Sequence, residues 1–377
     1  MAQKNILIIC GEASGDLHAG NLALALKKIN PQINIFGVGG ETMRQAGAEL
    51  FYDIKGLSVM GLFDVLKKLP KFFALKKLIL EKIKSIKPDA VILVDFSGFN
   101  LRLAKVINNA FTTIYYVSPQ VWASRRGRME TIKKYLKKVI VLFKFEEAFY
   151  KKYGINVDFS GHPLLDVAKP TIARAELLSR LNLMGTKTTI ALLPGSRKQE
   201  IKNILPIMLK TARLIGEKIE AQFVIAKSNQ VDWDFYNQII KKVGIEVKML
   251  EGKTYDCINI ADFCLVCSGT ATLETAIMQK PFVIVYKMNF LNYLLYRPQV
   301  KLPYIGMVNI VAGKKIIPEF IQFRTSPKKI SAEVLKLLQD PIQLQVMKNE
   351  LSKVKSSLGE PGASARAAGI ILNFLNK

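Results

Sequence analysis

Chemistry first becomes legible in this chain where short apolar runs end in small or acidic residues. Gly11-Glu12-Ala13-Ser14-Gly15-Asp16-Leu17-His18 follows the apolar run Ile6–Cys10. Two glycines among small residues let the backbone approach a ligand, and the helix that follows offers free N–H groups. The plainer reading is a tight turn in which Ser14 or Asp16 caps that helix. Asp95 stands directly after Ala90–Val94. An acid at the carboxyl end of a buried strand can be desolvated and act as a general base; it can also cap a turn. His18 is the rival base. It and His162 are the only histidines, and both are expected in loops rather than in the core.

Two further stretches read as anion sites. Pro194-Gly195-Ser196-Arg197 follows the run Thr189–Leu193, and Arg197 is a planar, permanently charged fork suited to a pyrophosphate. Cys267-Ser268-Gly269-Thr270-Ala271-Thr272-Leu273-Glu274 closes another run and opens a helix, whose N-terminus favours phosphate. Glu274, one turn in, can bind a ribose diol. The competing reading is an ordinary Ser/Thr-capped helix. Arg125, Arg126 and Arg128 follow Tyr116-Val117-Ser118-Pro119-Gln120-Val121-Trp122 and either bind phosphate or are simply solvated.

Several chemistries are excluded or demoted. No GxxxxGK occurs, and Gly37-Val38-Gly39-Gly40 lacks the dinucleotide spacing, so neither a nucleotide-hydrolysing loop nor NAD is expected. Asp232-Trp233-Asp234 has the form of a metal-binding pair, but it opens a polar helical stretch and reads as a cap. Cys264 and Cys267 lack a second ligand pair for zinc. No metal and no cofactor are expected.

These residues need elements to position them. Apolar runs also occur at 33–38, 113–117, 139–143, 222–226, 247–250, 263–266 and 282–285, alternating with amphipathic stretches. Runs without polar alternation are strands buried on both faces, so the pattern predicts βαβ units and parallel sheets. Five runs precede residue 160 and five follow 188, with Gly161-His162-Pro163 and Lys169-Pro170 between them. The expectation is α/β: two Rossmann-like doubly wound domains facing across a cleft. They would span 1–167 and 168–340, with C-terminal helices over 341–377 interrupted by Pro341 and Pro361.

The 377 residues carry 55 Lys+Arg against 30 Asp+Glu, a net charge of +25. Such a surface seeks anions: nucleic acid, acidic membrane or phosphorylated substrates. The positive charge is mostly lysine on amphipathic helices, which argues against a nucleic-acid partner. Four cysteines are too few for a disulfide scaffold and suit a reducing cytosol. No signal peptide or membrane-spanning run is seen, so a soluble or peripheral protein is expected. The segment 57–86 has Phe72, Leu75, Ile79, Ile83 and Ile86 at helical spacing, among eight lysines and one acid over 67–87. Phe63, Leu66, Leu69, Phe73 and Leu80 exceed one inward stripe, and such a helix suits an anionic bilayer face. Met288–Tyr296 is a second candidate.

Taken in order, GEASGD, KPD with its strand and Asp95, YVSPQVWA, GHPLLD, LLPGSR and SGTATLE closely resemble the lipid-A-disaccharide synthase family over nearly the whole chain. The resemblance implies a glycosyltransferase B-type fold, with UDP-sugar bound by the C-terminal domain and the lipid acceptor by the N-terminal one. It implies metal-free, inverting transfer of 2,3-diacylglucosamine from its UDP form to the 6-hydroxyl of 2,3-diacylglucosamine 1-phosphate. It also implies a peripheral protein on the cytoplasmic face of the inner membrane, and a homodimer, with C-terminal helices over 341–377 that cross back or are exchanged between the two copies. Asp95 would be the base, with His18 its rival. Glu12, Ser14, Asn100, Ser118, Trp122 and Asn309 would contact sugars. Gly195, Ser196, Arg197, Ser268, Gly269, Thr270 and Glu274 would hold UDP. Many relatives carry a second aspartate where Gly98 stands, and a tryptophan where Ser124 stands. Other UDP-sugar enzymes of the same fold, a UDP-GlcNAc 2-epimerase or transferase, are the alternatives.

Overall fold

The computed structural model describes residues 3–55, 57, 62–289, 293–294 and 302–376, without the side chains of 62–68. The chain forms two compact units, Met1–Leu165 with Leu358–Lys377, and Asp166–Ser357.

The first unit is built on β1 (Lys4–Ile9), β2 (Ile33–Gly39), β3 (Glu49–Asp53), β4 (Ala90–Val94), β5 (Thr113–Tyr116), β6 (Lys138–Val141) and β7 (Val157–Phe159). They form one sheet in the order β3-β2-β1-β4-β5-β6-β7, every pairing parallel. The connections carry α1 (Ala13–Ile29), α2 (Glu41–Gln45), α3 (Leu62–Ile86), α4 (Ser97–Ile107), α5 (Met129–Tyr135) and α6 (Lys144–Lys151). β1 and β4 are fully apolar at their centres because both faces lie under helices: Ile6 to Ile9 and Ala90 to Val94 are all inaccessible to solvent. The strand order reverses between β1 and β4. The crevice beyond the carboxyl ends of strands at such a reversal is where open α/β sheets bind ligands.

The short helices α7 (Leu164–Val167) and α8 (Arg174–Arg180) lead into the second unit. Its strands are β8 (Thr188–Leu193), β9 (Ala221–Lys227), β10 (Lys248–Glu251), β11 (Phe263–Cys267), β12 (Phe282–Tyr286) and β13 (Glu319–Ile321). Their order is β10-β9-β8-β11-β12-β13, again all parallel. The helices α9 (Lys198–Gly216), α10 (Trp233–Val243), α11 (Thr254–Ile260) and α12 (Ala271–Ile277) alternate with them. Here the order reverses between β8 and β11.

All ten apolar runs fall on strands. Three strands had no such run: β3, β7 and β13, with the sequences ELFYD, VDF and EFI. Each is an edge strand. An edge has one neighbour and a partly wet face, so it does not need a continuous apolar run.

Helices Pro327–Leu338, Pro341–Ser357 and Ala363–Leu375 end the chain. The last packs along α1 in the first unit. Its Arg366 Nε donates to the Ser160 carbonyl at 2.8 Å, and the His162 amide donates to the Leu358 carbonyl at 2.9 Å. The Gly161-His162-Pro163 stretch is thereby sewn to the chain end.

Candidate active site

In the first unit the β1–α1 and β4–α4 loops meet. A Cβ at Gly11 would come 2.3 Å from the Phe96 ring, so only glycine fits there. A Cβ at Gly15 would sit 3.8 Å from both the Asp95 Cβ and the Val94 carbonyl oxygen. The small residues of GEASGD therefore make room for the Asp95 loop. Glu12 is the N-cap residue of α1 and makes no side-chain capping bond; Ser14 is exposed. Asp16 does not cap α1 either. It is buried and caps α2, accepting from the amides of Gly40 at 2.6 Å and Thr42 at 2.9 Å.

Asp95 and Phe96 both have left-handed backbone, with φ of 47° and 48°, and Val117 beside them has φ of 59°. Consecutive non-glycine residues there, and a β-branched one, are strained. The strain is held by bonds to the backbone of the loop. Asn100 Nδ2 donates to the carbonyls of Asp95 at 2.9 Å and Val94 at 3.2 Å, and the Tyr115 hydroxyl also donates to the Asp95 carbonyl. Asn100 is completely buried. It shapes this turn, whereas the sequence reading gave it a sugar contact.

Burial, reinforced by the charge of Glu12, pushes the Asp95 carboxyl up to about 6. His18 lies inside α1, not in a loop, with a buried Nδ1 that has no partner among the described residues. Burial lowers its pKa to about 4. At neutral pH Asp95 is thus a basic carboxylate and His18 a neutral imidazole. The other histidine, His162, was also expected outside the core. It is buried, its Nδ1 accepts the Leu164 amide at 3.2 Å, and its ring lies 5.1 Å from that of Phe143.

Ser118 and Trp122 converge on a residue the sequence reading missed. Glu146 is 2% exposed; its Oε1 accepts from Trp122 Nε1 at 2.9 Å and Ser118 Oγ at 3.4 Å, and its Oε2 accepts the Phe143 amide at 3.2 Å. Burial raises its pKa to about 7. The only available signal was an acid in the first turn of a helix after an apolar strand, which usually means a solvated cap.

The basic helix α3 buries Leu75, Ile79 and Ile83 as expected. Phe72 packs on Phe96 and Phe99 of the Asp95 loop, at ring distances of 5.9 and 6.1 Å. Phe73 is 63% exposed. Phe63 and Leu66 lie outside the described side chains. In the second apolar candidate, Leu294 is 59% exposed, while 290–292 and 295–296 lie outside the described residues.

In the second unit the β8–α9 and β11–α12 loops flank the strand reversal. Gly195 has φ of 103°, and a Cβ there would come 2.5 Å from Glu200 Oε2 and 3.4 Å from Cys267 Sγ, so glycine is required. Arg197 precedes α9 and is exposed, with Nη1 donating to Glu200 Oε1 at 3.1 Å. An incoming pyrophosphate would compete with that carboxylate. The Ser196 carbonyl accepts from Ser228 Oγ at 3.2 Å, which ties the loop to the end of β9.

Ser268 Oγ donates to the Ile305 carbonyl at 3.1 Å, Gly269 has φ of 147° with open space around it, and Thr270 is the N-cap of α12. Glu274 is half-buried, accepts from the Tyr255 hydroxyl at 3.0 Å, and has its pKa raised by burial. Asn309 is different. It is fully buried, its Nδ2 donates to the Ile317 carbonyl and Glu319 Oε1, and its Oδ1 accepts the amides of Ile316 and Ile317. Every hydrogen-bonding position of its side chain is used, so it shapes the loop and offers nothing to a ligand. Asp232 stands at the N-cap of α10 but makes no capping bond.

The family model described as lipid-A-disaccharide synthetase matches residues 6–372. The chain belongs to the lipid-A-disaccharide synthase family. The lipid-A-disaccharide synthase of Syntrophus aciditrophicus is 42% identical over 380 residues, covering 100% of this chain and 99% of that protein. That of Geobacter metallireducens is 37% identical, covering 99% and 98%. Members of this family are glycosyltransferases, and so is this chain. Among solved structures, a glycosyltransferase from Rickettsia africae superposes with a TM-score of 0.59 at 12% identity, covering 100% of both chains. UDP-GlcNAc 2-epimerase from Neisseria meningitidis bound to UDP-GlcNAc gives 0.60 at 12%, covering 99% of both. At such identities the likeness speaks for the fold: two parallel α/β sheets of the glycosyltransferase B type.

Proposed function

We propose that the protein moves 2,3-diacylglucosamine from its UDP-activated form to the 6-hydroxyl of 2,3-diacylglucosamine 1-phosphate, with inversion and without a metal. Asp95 takes the proton from the acceptor hydroxyl. The observation that carries this role is a carboxylate at the strand reversal whose pKa, about 6, suits a base at neutral pH. A His18 with pKa near 4 is a weaker base and a better polar wall. Glu12 keeps Asp95 basic by its charge.

On the donor side, the leaving UDP is negative and its charge must be met for the bond to break. Arg197, turning from Glu200, and the loop amides from Gly195 to Ser196 and Ser268 to Thr270 meet it. Glu274, already held by Tyr255, turns its free oxygen to the ribose. The exposed Phe73, amid the lysines of α3, inserts into an anionic membrane surface on the cytoplasmic side, where the acceptor's acyl chains reside. No helix among the described residues is long and apolar enough to cross a membrane. A homodimer is part of the same proposal.

Incubation with both lipid substrates, with and without EDTA, tests the reaction. UDP and a tetraacyl disaccharide 1-phosphate should form at equal rates in both. UDP release without disaccharide would support an epimerase-like reading, and loss of activity on chelation would refute the metal-free route.

A further inference from the structure

We propose that Arg125 and Arg128, with Arg102 beside them, form a phosphate-monoester site in the first unit, and that it holds the anomeric phosphate of the acceptor. The identity of that phosphate rests on the transferase reading above; the anion site itself does not.

Arg128 ends the short 3-10 turn Arg126–Arg128, is half-buried, and its Nη1 donates to Ser97 Oγ at 2.8 Å. Ser97 opens α4, two positions after Asp95. Burial lowers the pKa of Arg128, and the neighbouring charges of Arg125 and Arg102 lower it further. Arg125 and Arg128 bracket this single turn, the Arg128 amide donating to the Arg125 carbonyl at 3.0 Å, so the two guanidinium groups belong to one loop. Among the described residues none of Arg102, Arg125 and Arg128 has a carboxylate within ion-pairing distance.

Among the other described arginines, Arg44, Arg174, Arg180, Arg197 and Arg213 each pair with an acid, Arg366 bonds backbone carbonyls, and Arg126 and Arg324 are exposed; Arg128 is the one without an acid that is withdrawn from solvent. Solvated arginines at the end of a loop would spread apart. Here one is drawn into the protein and fixed to a hydroxyl beside the strand reversal, and its neighbours raise the cost of its charge. An anion relieves that cost, and guanidinium forks bind phosphate oxygens in pairs.

There is room for it. A Cβ at Gly98, next to Ser97, would meet nothing within 4 Å. No acid lies in the first turn of α4, and the nearest in sequence is Asp95 just before it. The acceptor must present its 6-hydroxyl to Asp95 and carries its only fixed charge on C1, which is joined through the ring oxygen to the carbon that bears C6. An arginine pair close to Asp95 would orient the ring by that charge.

The test is calorimetric titration of the full chain with glucosamine 1-phosphate, the soluble probe, with UDP present to fill the donor loops. Removing both arginines, as Arg125→Ala with Arg128→Ala, should weaken the probe about 10- to 100-fold. Arg125→Ala alone, at an exposed position, should weaken it less and leave the melting temperature unchanged. Arg128→Lys, which keeps the charge but loses the fork, should also weaken it. Wild type should prefer the probe to glucosamine, and the double variant should not. Equal affinity of wild type and double variant overturns the site, as does a wild type that does not distinguish the two sugars.

Turnover separates the two readings. Arginine-dependent binding in a protein that makes no disaccharide keeps the anion site and sinks the transferase reaction. Disaccharide formation with an acceptor KM indifferent to the arginines does the reverse.

Discussion

Replacing Asp95 with asparagine should make the protein more stable and at the same time nearly inactive. The wild-type carboxyl is held at about 6 against an ordinary value of 3.8, burial being the larger cause and the charge of Glu12 the next. A shift of about two units corresponds to about 3 kcal/mol. Because the group is only half-buried, solvent screens part of this, leaving about 1–3 kcal/mol. The sign follows from proton uptake. The folded carboxyl keeps its proton up to about pH 6, while the unfolded chain releases it near 3.8. Its favourable contribution is therefore complete below about pH 4 and is lost as pH rises through 6. Asparagine carries no charge to bury and tolerates the left-handed backbone at this position. At pH 7.5 the variant should melt higher by about 2–12 °C, taking about 2–4 °C per kcal/mol for a unit of this size. Near pH 4 the two proteins should melt together. Loss of the base should lower kcat by about 10²- to 10⁴-fold, or about 2.7–5.5 kcal/mol of barrier. In wild type, kcat/KM should fall as pH drops below about 6. Thermal melts at the two pH values, with UDP release from the lipid substrates, measure both halves. A variant that melts lower than wild type at pH 7.5 would refute the burial argument. Full turnover would refute the base, and a wild-type profile that breaks near 4 instead of 6 would point to His18.

Three further outcomes are expected. Arg197→Ala should weaken UDP by roughly 1.5–3 kcal/mol in a calorimetric titration, with acceptor binding unchanged; an unaltered UDP affinity would place the pyrophosphate elsewhere. Phe73→Ser should reduce flotation on anionic liposomes without lowering the melting temperature, because the ring is exposed. Phe72→Ser should lower kcat as well, because that ring supports the Asp95 loop; equal flotation of Phe73→Ser and wild type would leave α3 an ordinary surface helix. Glu146→Gln should cost about 1–2 kcal/mol at acidic pH, since its amide group faces the Phe143 N–H or the Trp122 N–H without a lone pair to offer. It should also remove the part of wild-type stability that is present below about pH 4.5 and lost as pH rises through about 7, read from urea melts across that range.

The central strands could be read directly from the residues. A parallel strand with helices on both faces must be apolar at every position, so Ile6–Cys10 and Ala90–Val94 announced themselves, and each loop after such a run was a candidate site. The meeting of GEASGD with Asp95 was not in that rule, because it depends on β1 and β4 lying side by side, which the fold decides. The edge strands β3, β7 and β13 were not legible, because an edge carries no such demand for burial. The family, too, was in the sequence, as an ordered set of motifs.

The tertiary structure decided what spacing cannot encode: which polar groups end up buried, and against what. Asn309 and Asn100 look like ligand contacts in a row of letters, yet Asn309 spends its whole amide on the Ile317 backbone, the Ile316 amide and Glu319, and Asn100 spends its Nδ2 on the carbonyls of the Asp95 turn. Glu146 looks like a solvated cap, yet it gathers Ser118 and Trp122 from a loop that precedes it by more than twenty residues. Asp16 caps α2 rather than its own helix. The basicity of Asp95 and the neutrality of His18 come from desolvation, which belongs to the folded environment and to no residue type. The return of the last helix to α1 is likewise a choice among distant surfaces, made by packing that local sequence does not record.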